Sequence, residues 1–215
     1  MLALKQALSL VTLKKVGAVG WTPTDESSLV AWYKYETGIT EVGASLVSEW
    51  LDSSGNGYHM EQDIDAERPT FDTSTGNVVF NSSNDTHLSI EGLEQITITG
   101  DFLLCFRMQK TADNGTFLAD NTSANEFFKY SAQSDRISFI VPSSATTHNL
   151  DLDDGTTFGD DSIIISRDGS LVKLHINGEA QIVEASATGS VLIDTIGLRR
   201  TDINGLDGTI KEIQI

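Results

Sequence analysis

Glu61, Asp63, Asp65 and Glu67 alternate within "WLDSSGNGYHMEQDIDAERPTF", residues 50 to 71, so on a β-strand all four carboxylates would share one face. Two carboxyls on one strand face, about 5–5.5 Å apart with one held protonated, are what retaining hydrolysis of a glycosidic bond requires. The intervening residues argue against that chemistry. Of Gln62, Ile64 and Ala66 only Ile64 is firmly apolar, so such a strand would lack an anchor in a core. Four carboxylates on a wet segment also offer no means of raising one pKa selectively. Cys105, the single cysteine, sits in "DFLLCFRM", where a thiol behaves as a small buried hydrophobe rather than a nucleophile. His59, His87, His148 and His175 show no i, i+4 pairing, which removes the helical zinc motifs. No enzyme is expected.

The elements that must position any functional residue are short. From Thr24 onward the chain reads as runs such as "DFLLCFRM", "RISFIV", "LVKLHING" and "TIKEIQI", separated by Gly, Asn, Asp and Ser. Val172, Leu174 and Ile176 alternate with Lys173, His175 and Asn177, the pattern of a strand with one buried and one wet face. Asn177-Gly178, Asp168-Gly169 and Asp207-Gly208 are expected as tight hairpin turns with positive φ. The fold class expected is all-β, a two-sheet antiparallel jelly-roll sandwich.

The chain has 215 residues, enough for one sizeable domain, and its 31 acidic against 14 basic side chains give a net charge of −17. Such a surface repels nucleic acid and anionic membrane, so neither is expected as a partner. No run of 18 apolar residues appears.

Residues 1–23 are set apart as an N-terminal arm and 24–215 as the sandwich. In "MLALKQALSLVTLKKVGAVGW" the residues Leu2, Leu4, Leu8, Leu10 and Leu13 form a rough apolar stripe followed by Lys14 and Lys15. A secretory signal carries its basic residues before the apolar run, not after it. The arm is expected to anchor the chain to a negative partner, such as the acidic body of another copy.

Three segments then carry a resemblance. "LVAWYKYETGI", "VSEWLDSSGNGYHMEQ" and "RPTFDTSTGNVVFNSSNDTHLSI" resemble, in order, the opening of the concanavalin A-like lectin/glucanase superfamily in its laminin-G-like form. "IIISRDGSLVKLHINGEAQ" and "IDTIGLRRTDINGLDGTIKEIQI" are similar to its later hairpin and closing strands, so the resemblance covers residues 28 to 215. In that frame the four carboxylates fall on an early loop, away from the mid-chain strand that carries catalysis in the glucanases of this superfamily. Asp52 is expected to accept backbone N–H groups of the Ser54–Gly57 reversal, and His59 to donate into that turn or touch a ligand.

The resemblance also implies calcium at the sandwich rim. Within "LDLDDGTTFGDD" the residues Asp151, Asp153 and Asp154 could supply its oxygen ligands, although the match is nonspecific and an acidic solvated loop accounts for them better. An arm followed by such a domain is similar to small structural proteins of marine tailed bacteriophages. That likeness implies a capsid decoration protein on the virion exterior, with other capsid or tail proteins and copies of itself as partners. The alternative is a carbohydrate-binding adhesion module on a tail or cell surface, calcium-dependent or not, with a glycan as partner.

Overall fold

Alternation along the strands sorts side chains into a shared core and an outer face. The computed structural model describes residues 22–215 except 93, 112–113, 124–126, 132–135, 142–145, 153–158, 182–183 and 200–204. Among the described residues all strand pairings are antiparallel, and the helical elements are the 3-10 turns Pro23–Asp25, Asp65–Glu67 and Ser82–Asn84. The architecture is the expected jelly-roll sandwich.

One sheet runs from Trp32–Tyr33 through Gly208–Gln214, Phe102–Lys110 and Asp161–Asp168 to Leu171–Ile176. The other includes Phe127–Ser131, Asn114–Ala119, Thr195–Ile196, Leu88–Ile90, Met60–Glu61 and Leu46–Trp50 in spatial order. Thr70–Asp72 and Asn77–Phe80 join the two by pairing with Leu46 on one side and Gly208–Gln214 on the other. The inward residues Leu104, Phe106, Ile163, Ile165, Ile210 and Ile213 meet Phe117, Phe128 and Phe139 from the second sheet in one buried cluster. Phe106 and Phe117 touch edge to face, with centroids 5.1 Å apart, and carry the contact across the sandwich.

The turns follow the expectation only in part. Asn177 (φ 51°) and Gly178 (φ 90°) both have positive φ, as a two-residue hairpin of that type needs. At Asp168-Gly169 only the glycine does (φ 62°). Asp207-Gly208 is not such a turn: neither residue has positive φ, and Gly208 already pairs with Lys110 and Phe80. Asp207 instead accepts from Ser82 N (2.7 Å) and Ser82 Oγ (2.6 Å), clamping the start of the last strand to the 3-10 turn at Ser82–Asn84.

A buried arginine fastens the end of the first sheet. Arg167 is 3% exposed; its Nε (2.7 Å) and Nη2 donate to Gly100 O and its Nη1 to Gly189 O (2.7 Å), with the guanidinium 4.8 Å from the Phe102 ring centroid. Arg167→Met keeps the stem but leaves two carbonyls without their donors. A loss of about 2–4 kcal/mol in denaturant unfolding is expected, and a loss below about 1 kcal/mol would contradict this role.

Candidate functional site

Residues leave the outer face of the first sheet in rows set by strand register. Glu212, Arg107 and Ser162 lie side by side on neighbouring strands, and Asn177 follows across the hairpin. The pairing of Gly208–Gln214 slips between Ile210 and Glu212, so the consecutive residues Lys211 and Glu212 both stay out of the core. Trp32, at the sheet edge opposite Gln214, also stands outside the main apolar cluster.

These side chains surround a cleft of about 610 Å³, whose walls include Trp32, Lys34, Tyr35, Arg107, Asp160 and Asn177. Its charges are paired in pieces. Asp160 accepts from Arg107 Nη2 (3.1 Å) and Nε (3.3 Å) and from Lys211 Nζ (2.6 Å). Burial alone would raise the Asp160 carboxyl, but the bonds from Lys211 and Arg107 outweigh it and hold it below its ordinary range. Glu212 accepts from Trp32 Nε1 (2.7 Å) and Gln214 Nε2 (2.8 Å), which fixes the indole edge. Lys34 Nζ stands 5.0 Å from the Trp32 ring centroid. Tyr35 rests on Gly76, where an added Cβ would come within 2.6 Å of its ring atoms, and its hydroxyl donates to Thr75 O at 3.1 Å.

Chemically, the cleft offers the half-buried Tyr35 ring and the edge of the Trp32 indole, which is only 8% exposed, beside fixed donors and acceptors. Arg107 spends Nε and Nη2 on Asp160, which leaves its Nη1 hydrogens for a ligand. Asp160 is held ionised and paired, so it is not poised to donate a proton to a leaving group.

The residues singled out in the sequence lie elsewhere. Asp52, 7% exposed, accepts Trp32 N (2.9 Å) and Ser54 N (2.8 Å) on Oδ1, and Ser54 Oγ (2.7 Å), Gly57 N (3.1 Å) and Tyr58 N (3.2 Å) on Oδ2. His59 does not donate into this turn through Nδ1; that nitrogen accepts Asp52 N at 3.0 Å, which places the ring proton on Nε2. Its ring borders a separate hollow of about 410 Å³ with Glu61, Glu91 and Glu94. There burial, then the neighbouring Glu91, raises the Glu61 carboxyl.

Glu61 ends a two-residue strand, while Asp65 and Glu67 belong to a 3-10 turn in which Asp65 pairs with Arg68. The four carboxylates therefore do not line one strand face. Asp151 is paired with Arg136 at 3.5 Å, and Asp153 and Asp154 lie outside the described residues. Among the described residues no three His, Cys, Asp or Glu side chains are grouped to hold a metal ion. Leu2, Leu4, Leu8, Leu10, Leu13, Lys14 and Lys15 also lie outside the described residues.

At the rim, Asp194 (8% exposed) stands within hydrogen-bond reach of Asp120 (2% exposed). Burial raises the Asp194 carboxyl, against bonds from Asn121 N (2.6 Å) and Thr195 Oγ1 (2.7 Å), and Asp120 raises it further. A raised folded-state pKa contributes stability below the unfolded value of 3.8 that is lost as pH rises through the folded value. Asp194→Asn keeps the Oδ1 acceptor and can donate to Asp120. Its melting temperature should match that of the unaltered protein near pH 4 and exceed it at pH 8 by roughly 2–4 °C, the scale of about 1 kcal/mol in a domain this size. Equal melting temperatures at both pH values would contradict the assignment.

No protein-family model and no curated protein sequence matches the chain. Solved structures do. Domain 4 of AbnA, a GH43 extracellular arabinanase from Geobacillus stearothermophilus solved with arabinotriose, matches with a TM-score of 0.51 at 17% identity, over 86% of this chain and 90% of that one. A sialidase from Trypanosoma rangeli matches with a TM-score of 0.51 at 7% identity over 99% of this chain, which spans 36% of the sialidase. The receptor-binding domain of botulinum neurotoxin D matches with a TM-score of 0.50 at 14% identity, over 90% of this chain and 49% of that one. At these identities the likeness is one of fold, a jelly-roll β-sandwich.

Proposed function

We propose that the chain is a carbohydrate-binding module that holds a glycan in the cleft between Tyr35, Trp32 and Arg107, without cleaving it. The observation that carries this reading is the cleft itself, in which aromatic rings stand beside donors and acceptors already fixed by their neighbours. Sugars present apolar C–H faces and a ring of hydroxyls, and a site of that composition meets both. The AbnA domain, which matches over nearly its whole length and was solved with arabinotriose, supports the same reading.

The virion reading rests on an N-terminal arm, residues 1–23, followed by such a domain; residues 1–21 lie outside the described residues, and the cleft does not bear on it. The glycan-binding alternative is the one the cleft favours.

A glycan array tests it. The full chain should be retained on a subset of glycans, and Arg107→Ala should lose that retention while melting normally. Retention should survive a chelator, because Lys211 and Arg107 neutralise Asp160 without a metal. A blank array, or retention that depends on calcium and ignores Arg107→Ala, would overturn the assignment.

A further inference from the structure

A second hollow lies beside the cleft on the outer face of the first sheet. Register sets Trp32, Gln214 and Cys105 in one row across three strands. Arg107 stands two residues past Cys105 on one side of that row, inside the cleft, and Leu103 two residues before it on the other. There Leu29, Val30, Ile98, Phe102 and Leu103 line a groove of about 180 Å³. Leu29, Val30 and Leu103 are half-buried, so the groove presents apolar surface to solvent. Gln214 and Cys105 line both hollows, and the cleft and the groove meet along their row.

We propose that this groove extends the glycan site and takes an uncharged apolar group, the size of one aromatic ring, carried by the bound oligosaccharide. The inference rests on the glycan reading of the cleft. Three observations select this occupant. Continuity is the first: a ligand held by Arg107 and the Trp32 edge passes over Gln214 to reach Leu103. Size is the second. An apolar cavity of about 150 Å³ holds a benzene ring, so the groove has room for one ring or a short alkyl group rather than a long acyl chain. Charge is the third. At the rim, Asp101 accepts Gly169 N (2.7 Å), and Glu26 accepts Ser28 N (3.2 Å) and Ser28 Oγ (2.9 Å). Two carboxylates there repel a fatty acid or any other anionic head and suit a neutral group flanked by sugar hydroxyls. Reach sets the length of the ligand. Arg107 and Leu103 are four residues apart on one strand, about 14 Å, which exceeds one sugar ring. The ligand is therefore at least a disaccharide with the apolar group at one end.

The probes are three forms of the oligosaccharide best retained on the array: its methyl glycoside, its phenyl glycoside, and the methyl glycoside benzylated at the non-reducing end. In calorimetric titration of the full chain, one of the two aromatic forms should bind about 10-fold more tightly than the methyl glycoside, the effect of taking one partly covered ring out of water. In Leu103→Asn that gain should fall below about 2-fold while the methyl glycoside binds as before. Binding of the methyl glycoside with no gain from either aromatic form overturns the inference and leaves the glycan reading standing. A blank array, or a methyl glycoside that does not bind, overturns both.

Nuclear Overhauser contacts in the unaltered protein are the second measurement and do not require the variant to fold. The aromatic protons of the tighter ligand should contact the methyl groups of Leu29, Val30 and Leu103. Contacts with Tyr35 and Trp32 alone would seat the ring in the cleft itself and overturn the inference.

Discussion

Replacing Asp52 by alanine is expected to lower the stability of the sandwich by about 3–5 kcal/mol, a drop of roughly 10 °C in melting temperature. One 7%-exposed carboxylate satisfies the backbone N–H groups of Trp32, Ser54, Gly57 and Tyr58 as well as the Ser54 hydroxyl. Alanine leaves the buried Trp32 N–H and the partly buried donors of Ser54, Gly57 and Tyr58 without their acceptor, which is the costly direction of the hydrogen-bond exchange. Asp52 also ties three parts of the fold together: the edge strand Trp32–Tyr33, the end of Leu46–Trp50, and the reversal at Ser54–Gly57. Asp52→Asn should fall between, because its Oδ1 still accepts while its Nδ2 faces donors that the second oxygen served. Urea unfolding of the three proteins checks this, and a loss below about 1 kcal/mol in Asp52→Ala would show the hub to be dispensable.

Arg107→Ala is expected to weaken binding of the best-retained oligosaccharide by about 10- to 100-fold, which corresponds to one or two hydrogen bonds from a charged donor. The fold should barely notice. Arg107 and Asp160 are both about 40% exposed, 43% and 41%, and an ion pair so open to water contributes little to stability. Lys211, only 14% exposed, stays on Asp160 when Arg107 is gone and keeps that carboxylate compensated. The expected signature is thus a large change in Kd with less than about 1 kcal/mol of change in unfolding free energy. Calorimetric titration beside thermal melts separates the two. Unchanged affinity would place the ligand away from Arg107.

Local patterns were legible and distant assemblies were not. The Asp52 turn could be read because Trp50, Asp52, Ser54, Gly57 and His59 are close in sequence and their turn chemistry is local. Even there the direction of the His59 bond was missed, since which ring nitrogen meets Asp52 N is set by packing. Asp207-Gly208 looked like a hairpin turn from the dipeptide alone, but the pairing of Gly208 with both Lys110 and Phe80 pulls it into a strand.

The cleft gave no signal of this kind. Trp32, Arg107, Asp160, Asn177 and Glu212 lie on different strands or loops; each of the polar four alone looks like an outward residue, and Trp32 reads as the buried residue it is, at 8% exposure. The slip that exposes both Lys211 and Glu212 breaks the alternation that sequence reading relies on. One clue was available: "FLLCF" and "SIIIS" are apolar on consecutive residues, which marks burial on two faces rather than one.

The most direct test of the central claim is where a bound sugar lies. A crystal of the full chain soaked with the best-retained oligosaccharide should show it against Tyr35 and the Trp32 edge, within hydrogen-bond distance of Arg107 Nη1. A sugar seated instead in the hollow of His59, Glu61, Glu91 and Glu94, or a cleft empty at saturating ligand, would contradict the assignment.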